Sequence, residues 1–122
     1  MLYTSQFHYN GEYKRLDITA VSKDPIGKIF APNWDLALSY KRGQITQEQY
    51  TVGYSQLINN QFVDNKKIFD QVANMIFKDN IVFVCYCPAN VFCHRLILKD
   101  RFINSNRYKN KYSEPLQYGG EI

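Results

Sequence analysis

The chain has 122 residues, 45% apolar and 21% charged, proportions that suit one folded domain and exclude a disordered tail or a membrane-embedded protein. A formal charge of +4, from fifteen Lys and Arg against eleven Asp and Glu, favours anionic ligands but excludes a dedicated DNA-coating protein. Cysteines at 85, 87 and 93 are an odd set, so the even disulfide framework of a small secreted domain is excluded as well. The start, Met1 to Gln6, lacks a basic stretch followed by an apolar core, and no segment approaches the ~20 apolar residues that cross a bilayer. The expectation is a cytoplasmic protein of one domain, 1–122, with no membrane partner.

Leu2 to Phe7 is rich in aromatic and β-favouring types and precedes the turn-forming Asn10-Gly11, which predicts a first strand. Arg15 to Val21 predicts a second, with Leu16, Ile18 and Ala20 on one face and Asp17, Thr19 and Val21 on the other. Asp24-Pro25, Gly27 and Pro32 interrupt the stretch from Ser22 to Asn33, which reads as a long loop. Trp34, Ala37 and Leu38 then recur at helical spacing, with Asn33 or Pro32 to start a helix and Gly43 to end it.

Thr46 with Gln49 is a capping-box pattern, and Tyr50, Gly53, Tyr54, Leu57 and Ile58 form the stripe of an amphipathic helix. Phe69, Val72, Ala73, Ile76 and Phe77 repeat that spacing until Asp79-Asn80 breaks it. Asn80 to Tyr86 is continuously apolar, as in a strand covered on both faces at the centre of a parallel sheet. After a break at Pro88-Ala89-Asn90, Phe92 to about Asn104 predicts a helix, and Leu116 to Tyr118 a final strand. The fold expected is a three-layer α/β domain with a small, mostly parallel sheet and helices on both faces.

Chemistry concentrates where Val84-Cys85-Tyr86-Cys87 runs from strand toward Cys93-His94-Arg95 at a helix start. Ligands of open α/β sheets bind at the carboxyl end of a central strand, and a helix N-terminus attracts anions and lowers the pKa of a nearby thiol. Four readings stay open. The thiols are buried hydrophobes; or Cys85, Cys87, Cys93 and His94 hold zinc; or Cys93 or Cys87 is a nucleophile; or Arg95 clamps an anion with His94 as acid–base group.

Zinc ranks low, because Cys93 and His94, as helical neighbours, are expected to diverge, and no metal ligand is assigned. The tyrosine-phosphatase spacing is absent, since Cys87 is followed after five residues by Cys93 and reaches Arg95 only after seven. Anion or nucleotide binding ranks first, using the helix terminus, the arginine and the positive charge together.

The strand Val82-Phe83-Val84-Cys85, the triplet Cys93-His94-Arg95 and the ending Tyr118-Gly119-Gly120-Glu121 resemble the domain-of-unknown-function 488 family of small bacterial and phage proteins. Leu2-Tyr3-Thr4 and Asp17 also sit where that family carries its first strand and an acidic residue. Cys87 stands where many members have an acidic residue, and Thr19 where they have an arginine. The resemblance implies an α/β fold with its site at the Cys-His-Arg junction and supplies no reaction.

The expected site therefore has Cys93, His94 and Arg95 as catalytic candidates, with Asp17, Lys28, Trp34, Cys85 and Cys87 binding the ligand. Asp17 is expected to pair with Arg95, while Lys28 and Trp34 close over the ligand as phosphate contact and stacking platform, although Trp34 also reads as a simple core anchor. Lys99, Arg101, Arg107, Lys109 and Lys111, interleaved with Phe102, Tyr108 and Tyr112, read first as a solvated face, with nucleic acid kept open as a partner. The leading function is binding of a nucleotide or nucleic-acid-related anion, with catalysis on it left open. The alternative is a non-catalytic phage or bacterial protein that binds a host protein or sequesters a nucleotide signal.

Overall fold

The computed structural model describes residues 1–88 and 91–122, so the part of the predicted break at Ala89-Asn90 lies outside the described residues. Strands β1 (Leu2–Gln6), β2 (Lys14–Asp17), β3 (Ile81–Cys85) and β4 (Tyr118–Glu121) form one sheet in the order β2-β3-β1-β4. Every pairing is parallel, as an apolar β3 buried along all five residues requires. Among the described residues five α-helices complete the α/β fold: α1 (Trp34–Lys41), α2 (Gln47–Asp64), α3 (Lys66–Lys78), α4 (His94–Ile103) and α5 (Asn106–Lys109). No helix is long and apolar enough to cross a membrane among the described residues.

Several elements form where the pattern predicts them. Both reciprocal hydrogen bonds of the capping box are made at the start of α2, Gln49 N–H to Thr46 Oγ1 and Thr46 N–H to Gln49 Oε1. Asn33 caps α1 by accepting from Leu36 N–H. On α3 the apolar stripe Phe69, Val72, Ala73 and Ile76 is buried.

Other boundaries shift for local reasons. The second strand ends at Asp17, short of Val21, because the Asp17 carboxylate accepts the Thr19 N–H and its carbonyl accepts the Ser22 hydroxyl, which turns the chain. Within the long loop, Asp24 Oδ1 accepts from Ile26 and Gly27 N–H and nucleates a 3₁₀ turn, Gly27–Phe30. That turn drops Phe30 into the core, edge-on to Phe69 and Phe102 at 5.0 and 5.9 Å. Each such ring pair contributes about 0.5–1.5 kcal/mol beyond its buried area. The last strand lies at Tyr118–Glu121 rather than Leu116–Tyr118, since Leu116 is spent on the core.

Strand parity sorts the two faces. Leu2, Leu16, Ile18, Ile81, Phe83 and Cys85 share one core with side chains of α2, α3, α4 and α5. On the opposite face Val82 and Val84 are also fully buried. The stretch 7–13 covers that face where a second helical layer was expected, with Tyr13 stacked on Tyr3, Phe7 tilted against Tyr86, and the Arg15 guanidinium over Phe7. This stretch joins β1 to β2 across β3, while β3 continues through α4 to β4 across β1. Neighbouring strands whose outgoing connections part in opposite directions leave a crevice at their carboxyl ends, between β1 and β3.

Candidate functional site: a thiol and guanidinium network at the carboxyl edge

Cys85 is the last residue of β3, and its parity points the sulfur toward the start of α4. That helix begins at His94, so Cys93 is its N-cap, with extended backbone angles of φ −151° and ψ 160°. An N-cap does not follow the helical fan of side chains, and the expected divergence of Cys93 and His94 is thereby overturned. Cys93 Sγ lies 2.9 Å from Cys85 Sγ and 3.3 Å from His94 Nδ1. His94 Nε2 stands 2.6 Å from the Ile18 carbonyl oxygen, which only accepts, so the ring proton sits on Nε2 and the Nδ1 lone pair faces Cys93. Burial pushes the imidazole pKa down and keeps the ring neutral.

Arg95, one residue further into α4, is 1% exposed and reaches back to the ends of β3 and β4. Its Nη1 donates to Cys85 Sγ at 2.9 Å and to the Cys87 carbonyl at 3.2 Å, and Nη2 donates to the Pro88 carbonyl at 3.1 Å. Nη2 and Nε together grip the Glu121 carboxylate, at 2.5 and 3.0 Å to Oε1. Glu121 is held in turn by the Thr4 hydroxyl, which also contacts Tyr118 Oη at 2.6 Å.

A bulge in β4 delivers that carboxylate. The register against β1 jumps from Leu2↔Tyr118 to Tyr3↔Gly120, which leaves Gly119 as the extra residue. A Cβ on Gly119 would lie 2.2 Å from the Tyr3 ring, and Gly120 has φ +110°, so both positions require glycine.

Of the three clustered sulfurs, Cys85 is the one whose charged form the Arg95 guanidinium favours. The neighbouring Cys87 and Cys93 thiols, with Arg95 adding, push the Cys85 pKa down against the opposing effect of burial. Charge on Cys85 in turn pushes the pKa values of Cys87 and Cys93 up. The result is a chain of groups: a neutral imidazole, a protonated Cys93, a thiolate at Cys85, the Arg95 guanidinium and the Glu121 carboxylate. Such a chain can present a thiolate with a proton donor beside it.

Of the residues predicted from sequence, Cys85, Cys87, Cys93, His94 and Arg95 come together here. Asp17 does not pair with Arg95. It lies beside Val84 on the other face of the sheet, and Glu121 takes the place assigned to it. Lys28 and Trp34 are exposed and make no hydrogen bond or ring contact with the network among the described residues, and Trp34, at 56% exposure, does not anchor the core either. Arg95 is not a free phosphate clamp, since each of its nitrogens already has an acceptor and an incoming anion would have to displace Glu121.

Sequence reasoning missed Glu121, Thr4 and the Ile18 carbonyl as members of the site. The resemblance carried by the Tyr-Gly-Gly-Glu ending was the one available signal for Glu121. Cys85, Cys93 and His94 are all buried, and their ligand atoms lie within 4.8 Å of one another, a grouping able to hold a metal ion.

Neither the curated proteins nor the solved structures contain a match to this chain. Residues 13–116 match the family DUF488-N3a, described as the active DUF488-N3 subclade. That span takes in β2, β3 and the whole Cys85 to Arg95 segment, and the chain belongs to the DUF488 family.

Proposed function

We propose that the chain is a thiol-dependent enzyme acting on an anionic substrate of the nucleotide class, with Cys85 as its nucleophile. The observation that carries this reading is the contact of Arg95 Nη1 with Cys85 Sγ at 2.9 Å, made beside a Cys93 thiol at the same distance. A cation and a thiol donor converging on one sulfur favour the thiolate, the reactive form. The description of the matched family as an active subclade supports an enzyme over a purely structural role.

In this reading Cys85 sulfur forms a bond to an electrophilic centre of the substrate while the bond to the leaving group breaks with its electron pair. The Cys93 thiol supplies the proton to that group, and the bare His94 Nδ1, 3.3 Å away, is placed to take a proton from the attacking water of the release step and return it to Cys93. Water then releases the bound fragment. Support for a nucleotide is the position at the carboxyl edge of a parallel sheet, next to a helix start, together with the exposed Tyr86 ring tilted against Phe7, over which the Arg15 guanidinium lies.

The test combines two measurements. Mass spectrometry of a panel of nucleotides and short oligonucleotides incubated with the protein should show turnover of at least one, abolished by Cys85→Ser with the fold retained by circular dichroism. Iodoacetamide at pH 6 should label Cys85 ahead of Cys87 and Cys93. Labelling of Cys87 alone, or turnover surviving in the serine variant, overturns Cys85 as the nucleophile.

A further inference from the structure

The same atoms that hold the thiolate also form a ligand set for a soft cation. We propose that Cys85 Sγ, Cys93 Sγ and His94 Nδ1 bind a thiophilic divalent ion of the zinc type, and that the bound ion takes Cys85 out of reaction. The silencing rests on Cys85 being the reactive sulfur; the binding does not.

Three observations carry the site. The first is chemical: two sulfurs and an imidazole nitrogen are the ligands such ions prefer, and three protein ligands leave one position open. The second is geometric. Ligand bonds of about 2.3 Å to sulfur and about 2.0 Å to nitrogen place tetrahedral neighbours roughly 3.5 Å apart for S and N and roughly 3.8 Å for two sulfurs. The Cys93 Sγ to His94 Nδ1 separation of 3.3 Å is already close to that. The sulfur pair at 2.9 Å has to open by under 1 Å, a side-chain adjustment at Cys93, whose hydroxyl-free thiol makes no capping bond that would resist it.

The third observation concerns the second ring nitrogen. A ligating histidine almost always donates its other N–H to a carboxylate or carbonyl, which fixes the ring and aims the lone pair. His94 makes this bond, Nε2–H to the Ile18 carbonyl at 2.6 Å. A peptide carbonyl just beyond the end of β2 thus orients a ring on α4 toward two sulfurs, one from β3 and one from the turn before α4.

Charge balance agrees. On binding, the Cys93 S–H bond breaks and its proton leaves to solvent, so two thiolates neutralise a divalent ion. Arg95 and Glu121 neutralise each other nearby, and the Arg95 Nη1–H bond to Cys85 Sγ persists as a hydrogen bond to a metal-bound thiolate.

The test uses the reduced, metal-free whole protein titrated with Co²⁺ under anaerobic conditions. The expected result is a sulfur-to-cobalt charge-transfer band in the near ultraviolet that saturates at one equivalent and is displaced by Zn²⁺. Cys93→Ser and His94→Gln should each weaken binding by roughly tenfold or more, whereas Arg107→Lys, on the outer surface beside Asp70, leaves both the band and its midpoint in place. Zn²⁺ should raise the thermal midpoint of the wild type.

Absence of the band in the wild type overturns the site, as does a band that survives both variants. Iodoacetamide kinetics on the same metal-free sample report the thiolate separately. Rapid labelling of Cys85 without a cobalt band sinks the metal proposal alone, and a band without labelling sinks the nucleophile alone. If one equivalent of Zn²⁺ binds and Cys85 labels as fast as before, the silencing fails.

Discussion

Two arginines grip carboxylates in this molecule, and they do so in opposite surroundings. Arg107 holds Asp70 through Nε and Nη2 at 2.9 and 2.8 Å on the outer face of α3, with the Tyr108 hydroxyl as a further donor and Lys111 at 3.9 Å. Arg95 holds Glu121 with a similar fork, but the Arg95 side chain is 1% exposed against 46% for Arg107. Water screens the outer pair, so its loss is small, on the order of 0.2–1 kcal/mol. The inner guanidinium has no water to fall back on, and removing its partner strands a buried charge. The same two functional groups therefore act as decoration at one place and as a structural requirement at the other.

The largest effect that separates the pairs is on stability. Glu121→Gln should cost about 3 kcal/mol in urea unfolding, the low end for a broken buried pair because one face of Glu121 stays hydrated. A loss below about 1 kcal/mol, the size expected for a surface pair, would erase the distinction. Arg95→Lys should come next. A single ammonium cannot serve Glu121 and Cys85 together, so the pH profile of the iodoacetamide labelling rate at Cys85 should move up by about one unit. The matching Arg107→Lys variant should leave that profile unchanged.

Smaller effects belong to the outer pair. Asp70→Asn should cost about 1 kcal/mol or less, and 1 M salt should remove most of the difference, while leaving the Glu121→Gln difference in place. The pH dependence follows from the hydrogen bond of Arg107, which lowers the folded-state pKa of Asp70. A carboxylate lowered on folding contributes stability above its unfolded pKa of about 4, and the contribution is lost as pH falls through the lower folded value. The wild type should therefore lose its small advantage over Asp70→Asn as the pH is lowered below about 4 in acid titration by circular dichroism. A constant difference across that range would assign the stabilisation to Tyr108 packing instead.

Much of the fold was legible because its signals are local. The Thr46 and Gln49 box, the α3 stripe and the unbroken apolar run of β3 each need only a few neighbours to act, and each formed as read. The Cys85 to Arg95 segment was also legible as the centre of the chemistry, since a strand end followed by a helix start brings its residues together whatever the rest of the chain does.

What was not legible depends on contacts made across the sheet. Glu121 reaches Arg95 only because β4 pairs with β1 and because the Gly119 bulge sets its parity, and neither is visible in a four-residue stretch of modest hydrophobicity. The misassignment of Asp17 has a different cause. Its alternation with Leu16 and Ile18 was read correctly, and that same alternation puts it on the face away from Cys85. Parity was applied within β2 and not carried across to β3. At Cys93 the error was to apply helical geometry to a residue that caps the helix without being in it.

The placement of Glu121 on an edge strand has a kinetic consequence. β4 has one neighbour, β1, whereas β3 is clamped between β1 and β2. Fraying of that short outer strand is a low-cost local opening that needs no rupture of the apolar interior. Each such excursion would carry away the carboxylate that Arg95 grips, so the ion pair beside Cys85 opens by the peeling of a border rather than by breathing of the core.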